Sequence, residues 1–225
     1  FSGIWQAITT AHFDIQDHSA SLGIPPGQGI VDGNEIPYLP AALEQKKKNF
    51  QDRMRADVIS DSRFRYAFGD PELKCYLPGI PRATYMPYPF QIIQSSEKIL
   101  IIYAFRKAVR SVYMTNEYPE GPGETWMGWS NGHFEGDTLV VDVTGFNENT
   151  WFDRAGNYHS DKLHVVERYR CFAIDKLHTE SVVTTRQTHR VFDVNCVPTL
   201  VVQFLTNRSY RNNCVCPGRR VLRFF

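Results

Sequence analysis

Hydrophobic and polar residues alternate with a period of two along most of the chain after residue 90. Three segments, residues 90–105, 124–146 and 162–186, each hold two alternating runs separated by a short polar turn. A period of two places every second side chain on the same face of a β-strand, and short turns join antiparallel neighbours. The pattern therefore predicts a series of β-hairpins, with a further strand at residues 108–114.

The first 89 residues follow a different pattern. Residues 22–40 are rich in Gly and Pro. This composition excludes a helix and interrupts long strands, so it predicts an extended segment that wraps over the core. Residues 69–90 combine five Pro with aromatic and large apolar side chains. They predict a loop packed against the core, and a polyproline ligand for another protein is the alternative.

One helix is predicted, at residues 41–58, where Ala, Leu, Glu, Gln and Lys dominate the composition. Four apolar residues fall near one side of this helix and predict its contact with the core: Ala42, Leu43, Phe50 and Met54. The three consecutive lysines at residues 46–48 are then expected on the solvated face.

Together these elements predict a mainly β protein with a single domain over residues 1–225. Residues 1–89 supply an extended N-terminal wrap, one helix and the Pro-rich loop, and residues 90–225 supply an antiparallel β-meander. A meander of short hairpins without intervening helices is typical of a sheet that closes into a barrel or curves strongly. The opening residues 2–5, SGIW, resemble the Gly-x-Trp signature of lipocalin-like barrels, and this resemblance implies a lipocalin-like closure.

A second resemblance rests on three long motifs that occur in order: CYLPGIPRATYMPYPFQI, EGDTLVVDVTGFN and TWFDRAGNYHSDKLHVVERY. Over residues 1–169 the chain resembles a large family of exported bacterial proteins found in Acidobacteria and marine Gammaproteobacteria. The resemblance implies a periplasmic or extracellular setting and implies no activity. After about Arg186 the chain departs from the family pattern, so the predictions place little weight on residues beyond it.

The composition narrows the possible partners. The chain has 25 Lys and Arg against 24 Asp and Glu, a formal net charge of +1, which gives no electrostatic reason to expect nucleic acid or an anionic membrane as a partner. Its apolar runs fall well short of the roughly 18 residues that a membrane-spanning helix needs. The chain begins at Phe1, which fits a mature exported protein or a fragment.

Glu167 is the strongest candidate for chemistry. Alternation along residues 162–170 places it on the same strand face as the apolar Leu163 and Val165. A carboxyl group buried without a partner has a raised pKa and can act as a general acid or base. The alternative is that Glu167 forms an ion pair with an arginine, with Arg154 or Arg168 as the candidates, or that it lies at the mouth of the barrel.

Asp153 and His159 are the predicted helpers of Glu167, because they lie in the turn-rich connection just before its strand. The neighbouring residues His159, Ser160 and Asp161 cannot form a catalytic triad through adjacency in sequence, and no Gly-x-Ser-x-Gly motif surrounds Ser160. A serine hydrolase is therefore not expected.

The histidines and cysteines do not predict a metal site. The pair His12 and His18 lacks the short His-x-His or His-x-x-x-His spacing, and Cys214 and Cys216 are separated by one residue rather than two. No metal and no other cofactor is assigned. The count of five cysteines would allow an exported protein at most two internal disulfides.

Four aromatic residues near the hairpins are the predicted ligand-binding set: Trp126, Trp129, Trp151 and Tyr169. They could stack on a sugar, a lipid or an aromatic ligand, or simply form core. The predicted function is a periplasmic or secreted protein that binds a small hydrophobic ligand, or an accessory or structural subunit of an envelope assembly whose partners are other proteins or further copies of this chain. The alternative is an acid–base enzyme, a hydratase, isomerase or hydrolase, acting on a small hydrophobic compound through Glu167, Asp153 and His159.

Overall fold

A computed structural model describes residues 2–54, 69–74, 76–115, 121–173, 176–184 and 192–200. The last part of the predicted helix, residues 55–58, lies outside the described residues, and so do Cys75, Cys214 and Cys216. Within the described part of the chain, no helix is long and apolar enough to cross a membrane.

The structure is a nine-stranded sheet whose strands lie side by side in chain order. The sheet is mixed and curls into a half-barrel. Its strands are β1 (Gly3–Trp5), β2 (Phe90–Gln94), β3 (Lys98–Tyr103), β4 (Val109–Tyr113), β5 (Trp129–Glu135), β6 (Thr138–Thr144), β7 (His164–Ala173), β8 (Lys176–Thr184) and β9 (Phe192–Leu200). The predicted mainly β fold with a strongly curved sheet is therefore confirmed.

One strand pair departs from the predicted antiparallel order. β4 and β5 are parallel, with Val112 opposite Ser130 and Tyr113 opposite Asn131. Parallel neighbours need a connection that returns to the starting end of the sheet, and the long segment between β4 and β5 allows this return. Alternation within each strand reports which face is buried but not the direction of its neighbour, so this pair could not be read from the pattern.

The buried face of the sheet, called the inner face below, forms the core. Its central strands supply Ile99, Ile101, Val112, Val141 and Val165, all of which are buried. The N-terminal wrap closes over this face, because Ala11, Ile15, Ile30 and Ile36 belong to the same hydrophobic cluster. The wrap was predicted from its Gly and Pro content, and its buried apolar residues are what hold it on the sheet.

The helix α1 spans Pro40–Asp52 and contacts the rest of the protein through a face that matches the predicted one only in part. Ala42 and Asn49 are its buried residues, whereas Leu43 is exposed. The Asn49 amide donates to the Gly156 carbonyl at 3.2 Å. Gly156 has a φ of +85°, and a Cβ there would lie 2.7 Å from the Asn49 Cβ. Of the four residues predicted to face the core, Ala42 is buried, Phe50 and Met54 are half-buried and Leu43 is exposed, so the predicted face is confirmed only in part.

The Pro-rich loop contains a 3₁₀ helix at Pro71–Lys74 and a short helix, α2, at Arg82–Tyr85. All four residues of α2 are buried. The Tyr85 hydroxyl donates to the Phe152 carbonyl at 2.6 Å and so connects this loop to the segment before β7. The predicted packing of the loop against the core is therefore what the structure contains.

We expect two isoleucines of the first hairpin to respond differently to truncation. Ile101→Ala on the inner face should lower the free energy of unfolding by about 3 kcal/mol, because it leaves a cavity in the core. Ile93→Ala on the opposite face should cost less than about 1 kcal/mol, because Ile93 is exposed. Urea denaturation of both variants measures the difference, and equal losses would contradict the assignment of the two faces.

Candidate functional site

An ion pair lies inside the half-barrel, between Arg110 of β4 and Glu167 of β7. The Arg110 guanidinium donates to the Glu167 carboxylate, and its Nε donates to the Ser130 hydroxyl at 2.8 Å. The Tyr169 hydroxyl donates to the second carboxylate oxygen of Glu167 at 2.8 Å. Burial alone would lower the pKa of Arg110, but the adjacent Glu167 carboxylate raises it above its ordinary value. We call Arg110 and Glu167 the interior pair; the hydroxyls of Ser130 and Tyr169 are its hydrogen-bond partners.

The structure places Glu167 on the inner face, as alternation predicts, but with a different partner from those proposed. Arg168 pairs with Glu135 at 3.1 Å, and Arg154 pairs with Glu72 at 2.7 Å. Arg110 was missed although it carries the same signal as Glu167. It is the single charged residue on the strand face that also holds Ala108 and Val112. Two lone opposite charges on apolar strand faces could have been matched as a buried pair.

Asp153 belongs to a separate buried set that joins the N-terminal wrap to the segment before β7. One of its carboxylate oxygens accepts from the Ile15 backbone N at 2.9 Å and from Asn157 Nδ2 at 2.6 Å. The other accepts from the backbone N of Ala155 at 2.9 Å and of Asn157 at 3.1 Å. Burial, with the nearby Asp14 carboxylate, raises the pKa of Asp153 to about 8. These contacts hold the loop in place and use both oxygens.

His159 lies in a third set. Its Nδ1 is 2.8 Å from the Ser160 carbonyl, which can only accept, so Nδ1 carries the proton. Nε2 then accepts from the Thr150 hydroxyl at 2.6 Å. The rings of Phe146 and Phe152 pack against the imidazole, with centroids 6.0 and 5.2 Å away. Complete burial lowers the pKa of His159 to about 4, so the side chain is neutral at pH 7.

The structure does not bring the three predicted catalytic residues together. Glu167 and Asp153 are 0% exposed and His159 is 1% exposed. Among the described residues, no hydrogen bond joins any two of them, and each has its own partners. An acid–base group must reach the proton that it moves, and this geometry offers no route by which one substrate contacts all three.

A charge cluster that the sequence did not reveal lies between the Pro-rich loop and the segment before β7. The Arg82 guanidinium donates to both oxygens of Asp70, at 2.8 and 2.7 Å, and to Glu72 at 2.7 Å. Arg154 donates to both oxygens of Glu72, at 2.7 and 2.9 Å. An arginine within a Pro-rich loop that is predicted to pack on the core would need acidic partners. The presence of Arg82 in this loop could therefore have indicated a buried ion pair with nearby acidic residues.

The four predicted ligand-binding aromatics lie in different surroundings. The Trp126 ring packs on Tyr76 with centroids 4.7 Å apart, and Trp129 Nε1 donates to the Gly123 carbonyl at 2.6 Å. Tyr169 is buried beside Glu167. Trp151 lines an open cleft. The set therefore does not form one surface, and Trp151 is the member that borders a described cavity.

The cleft, called the α1 cleft below, has a volume of about 260 Å³. It lies between helix α1, the 3₁₀ helix at Pro71–Lys74 and the segment before β7. Its lining residues are Gln45, Lys48, Asn49, Asp52, Gly69, Pro71, Lys74, Glu148, Asn149 and Trp151. Burial lowers the pKa of Lys74 below its ordinary value, against the opposing effect of Asp70. The lining combines two ammonium groups, two carboxyl groups and three amides with one indole ring.

No protein-family model, curated protein or solved structure matches this chain. The resemblances to lipocalin-like barrels and to exported bacterial proteins therefore stay predictions. Within the described residues, no group of three or more His, Cys, Asp or Glu side chains could hold a metal ion.

The interior pair can be tested by a double-mutant cycle. Arg110→Met or Glu167→Leu alone should lower the free energy of unfolding by about 3–5 kcal/mol, because each leaves a buried charge without its partner. The double variant should recover much of that loss, because neither charge remains. Chemical denaturation of the four proteins gives the coupling energy.

A matched control for that cycle is Arg168→Met, which breaks the exposed pair with Glu135 on the opposite face. It should change stability by less than about 1 kcal/mol. Additive single losses in the double variant would contradict a direct Arg110–Glu167 interaction.

His159 predicts a loss of stability in acid. Its pKa is about 4 in the folded protein and near 6.5 when unfolded. Between these values the unfolded chain binds more protons, so stability is lost as the pH falls from 6.5 through 4. The contribution of His159 to this loss is about 3 kcal/mol.

The measurement compares wild type with His159→Gln by urea denaturation at pH 7, 5.5 and 4. The stability difference between the two proteins should shrink as the pH falls, because only the wild type carries the depressed pKa. His133 is exposed, so His133→Gln serves as control and should keep the wild-type dependence of stability on pH. A constant difference between wild type and His159→Gln across this range would refute the assignment.

Proposed function

We propose that this chain is a periplasmic or secreted binding protein that holds a small polar ligand, of the saccharide class, in the α1 cleft. The main support for this proposal is the lining of that cleft, in which Trp151 lies beside charged and amide side chains. The cleft has a volume of about 260 Å³. A largely preformed concavity with an aromatic wall and a few converging polar groups is the usual form of a small-molecule site.

The polar lining favours a saccharide over a hydrophobic compound. Lys48 and Lys74 can donate to sugar hydroxyls, and Asp52 and Glu148 can accept from them. The Trp151 ring offers an apolar face for the C–H side of a pyranose ring. A purely hydrophobic ligand would instead cover charged groups without replacing their contacts with water, and that costs free energy.

The acid–base enzyme is the weaker candidate. Its three proposed residues, Glu167, Asp153 and His159, are buried and have separate partners. The alternative role as an accessory subunit of an envelope assembly, like the periplasmic or extracellular location itself, is supported by the resemblance to exported bacterial proteins. Purification from the native source, with identification of what accompanies the protein, separates a bound small molecule from partner subunits.

Ligand binding is tested with a panel of neutral, acidic and amino monosaccharides and disaccharides, by titration calorimetry and tryptophan fluorescence. We expect one class to bind, and we expect Trp151→Ala to weaken that binding at least about tenfold through loss of the stacking surface. Lys48→Ala should also weaken it, because Lys48 lines the cleft.

The matched control is Lys47→Ala, the neighbouring lysine of α1, which pairs with Glu44 at 2.8 Å and should leave affinity unchanged. Folding of each variant is checked by circular dichroism. Absence of binding across the whole panel by the folded wild type, or equal affinity of Trp151→Ala and wild type, would refute the proposed site.

A further inference from the structure

The outer face of the sheet, opposite the core, has two halves of different chemistry. On β5–β7 it carries charged and polar side chains that pair with one another. Arg168 bonds Glu135 at 3.1 Å, and His164 bonds Asp142 at 2.9 Å. This is the ordinary composition of a sheet face that meets water. On β1–β4 the corresponding positions are mostly aliphatic.

The strand register places these aliphatic residues in two adjacent rows, one of which also holds the polar Gln91 between Ile4 and Ile102. Ile4 lies opposite Gln91, Gln91 opposite Ile102, and Ile102 opposite Val109, so one row crosses four strands. In the next row Ile93 lies opposite Leu100. We call Ile4, Ile93, Leu100, Ile102 and Val109 the outer patch. Contiguous exposed apolar surface of this kind marks an interaction site.

Three of the five residues of the outer patch are exposed, and Leu100 and Ile102 are half-buried. Val109 is 59% exposed, Ile93 42% and Ile4 41%. The N-terminal wrap does not shield them, since its buried residues join the core cluster on the inner face. None of the described segments therefore covers these side chains, and they are accessible to a surface outside this chain.

A basic and aromatic end borders the patch at the turn between β3 and β4. Arg106 and Lys107 are exposed there and both have left-handed backbone, with φ of 55° and 52°. The Phe105 ring stacks on Tyr88 with centroids 5.3 Å apart. At the opposite end of the hairpin, Lys98 is exposed beside Glu97. Two cations thus lie at one end of the patch, and one cation with one anion lies at the other.

We propose that the outer patch docks this protein onto the surface of an anionic lipid bilayer. Aliphatic side chains would enter the boundary between headgroups and acyl chains, Tyr88 and Phe105 would lie at the headgroup level, and Arg106 and Lys107 would meet anionic lipid. The net positive charge of the residues that border the patch favours this partner over a second copy of the chain. A second copy of the chain would bring the same cations together, whereas an anionic surface complements them.

This docking surface is independent of the α1 cleft and goes beyond ligand binding. It uses strands β1–β4, whereas the cleft uses α1 and the segment before β7. A protein that binds a ligand in the cleft could therefore do so while held at a membrane surface.

The test is flotation of the whole chain with vesicles of phosphatidylcholine containing 30% phosphatidylglycerol, compared with pure phosphatidylcholine, at low and at physiological salt. We expect binding to the anionic vesicles that weakens as salt increases. The double variant R106E/K107E should reduce the partition coefficient at least about tenfold, because each basic residue near the surface contributes severalfold. Val109→Glu should reduce it as well.

Two control variants distinguish binding through the outer patch from nonspecific electrostatic attraction and nonspecific hydrophobic adsorption to the vesicles. R168E/R170E makes the same change in net charge on the charged half of the outer face and should leave binding unchanged. Leu22→Glu removes an aliphatic side chain that is 75% exposed outside the patch and should also have no effect. Circular dichroism and light scattering confirm that each variant is folded and report its oligomeric state.

Several outcomes would overturn the proposal. Equal binding to both vesicle types, or equal losses in R106E/K107E and R168E/R170E, would show that the patch does not recognise the anionic surface. A wild-type dimer that Val109→Glu converts to a monomer, without vesicle binding, would assign the patch to a second copy. No vesicle binding by a monomeric wild type would also refute it, and would leave a protein partner as the occupant.

Discussion

The ion pairs of one buried guanidinium hold together the segments that cover the inner face of the half-barrel. Arg82 lies in α2, is 1% exposed, and is neutralised by Asp70 and Glu72 of the same Pro-rich loop. Glu72 also binds Arg154 of the segment before β7, whose backbone N donates to the His12 carbonyl of the wrap at 3.2 Å. Two segments distant in sequence thus share one charge balance, the wrap joins them through a backbone hydrogen bond, and loss of one charged member would leave a buried charge without its partner.

The same saturation of buried charges determines where function can lie. Glu167, Asp153 and His159 have the chemistry of acids and bases, yet their oxygens and nitrogens are occupied by partners inside the protein. Such groups rigidify a core and specify one arrangement of its strands. The open features are at the surface, where the α1 cleft carries mixed polar groups and the outer patch carries aliphatic ones. Both suit recognition better than covalent chemistry.

The candidate site was predictable in part. Alternation is a local property, so it indicated that Glu167 faces inward, and the same reasoning places Arg110 on the inner face without saying which charge it meets. The helix contact was not predictable, because a polar Asn49 is buried against Gly156 while Leu43 is exposed. A glycine that permits close approach changes which helix face is buried, and nothing in the periodicity of the helix reports it.

The amino-acid sequence by itself determined strands β2 to β8, the turns that join most of them, and their inner and outer faces, since these follow from a two-residue period and short polar turns. Tertiary structure alone decided which buried charges meet. Arg110 and Glu167 lie 57 positions apart, and Asp153 reaches the Ile15 backbone across 138 positions. Such contacts depend on the curvature of the sheet and the path of the wrap, which arise only when all segments pack together.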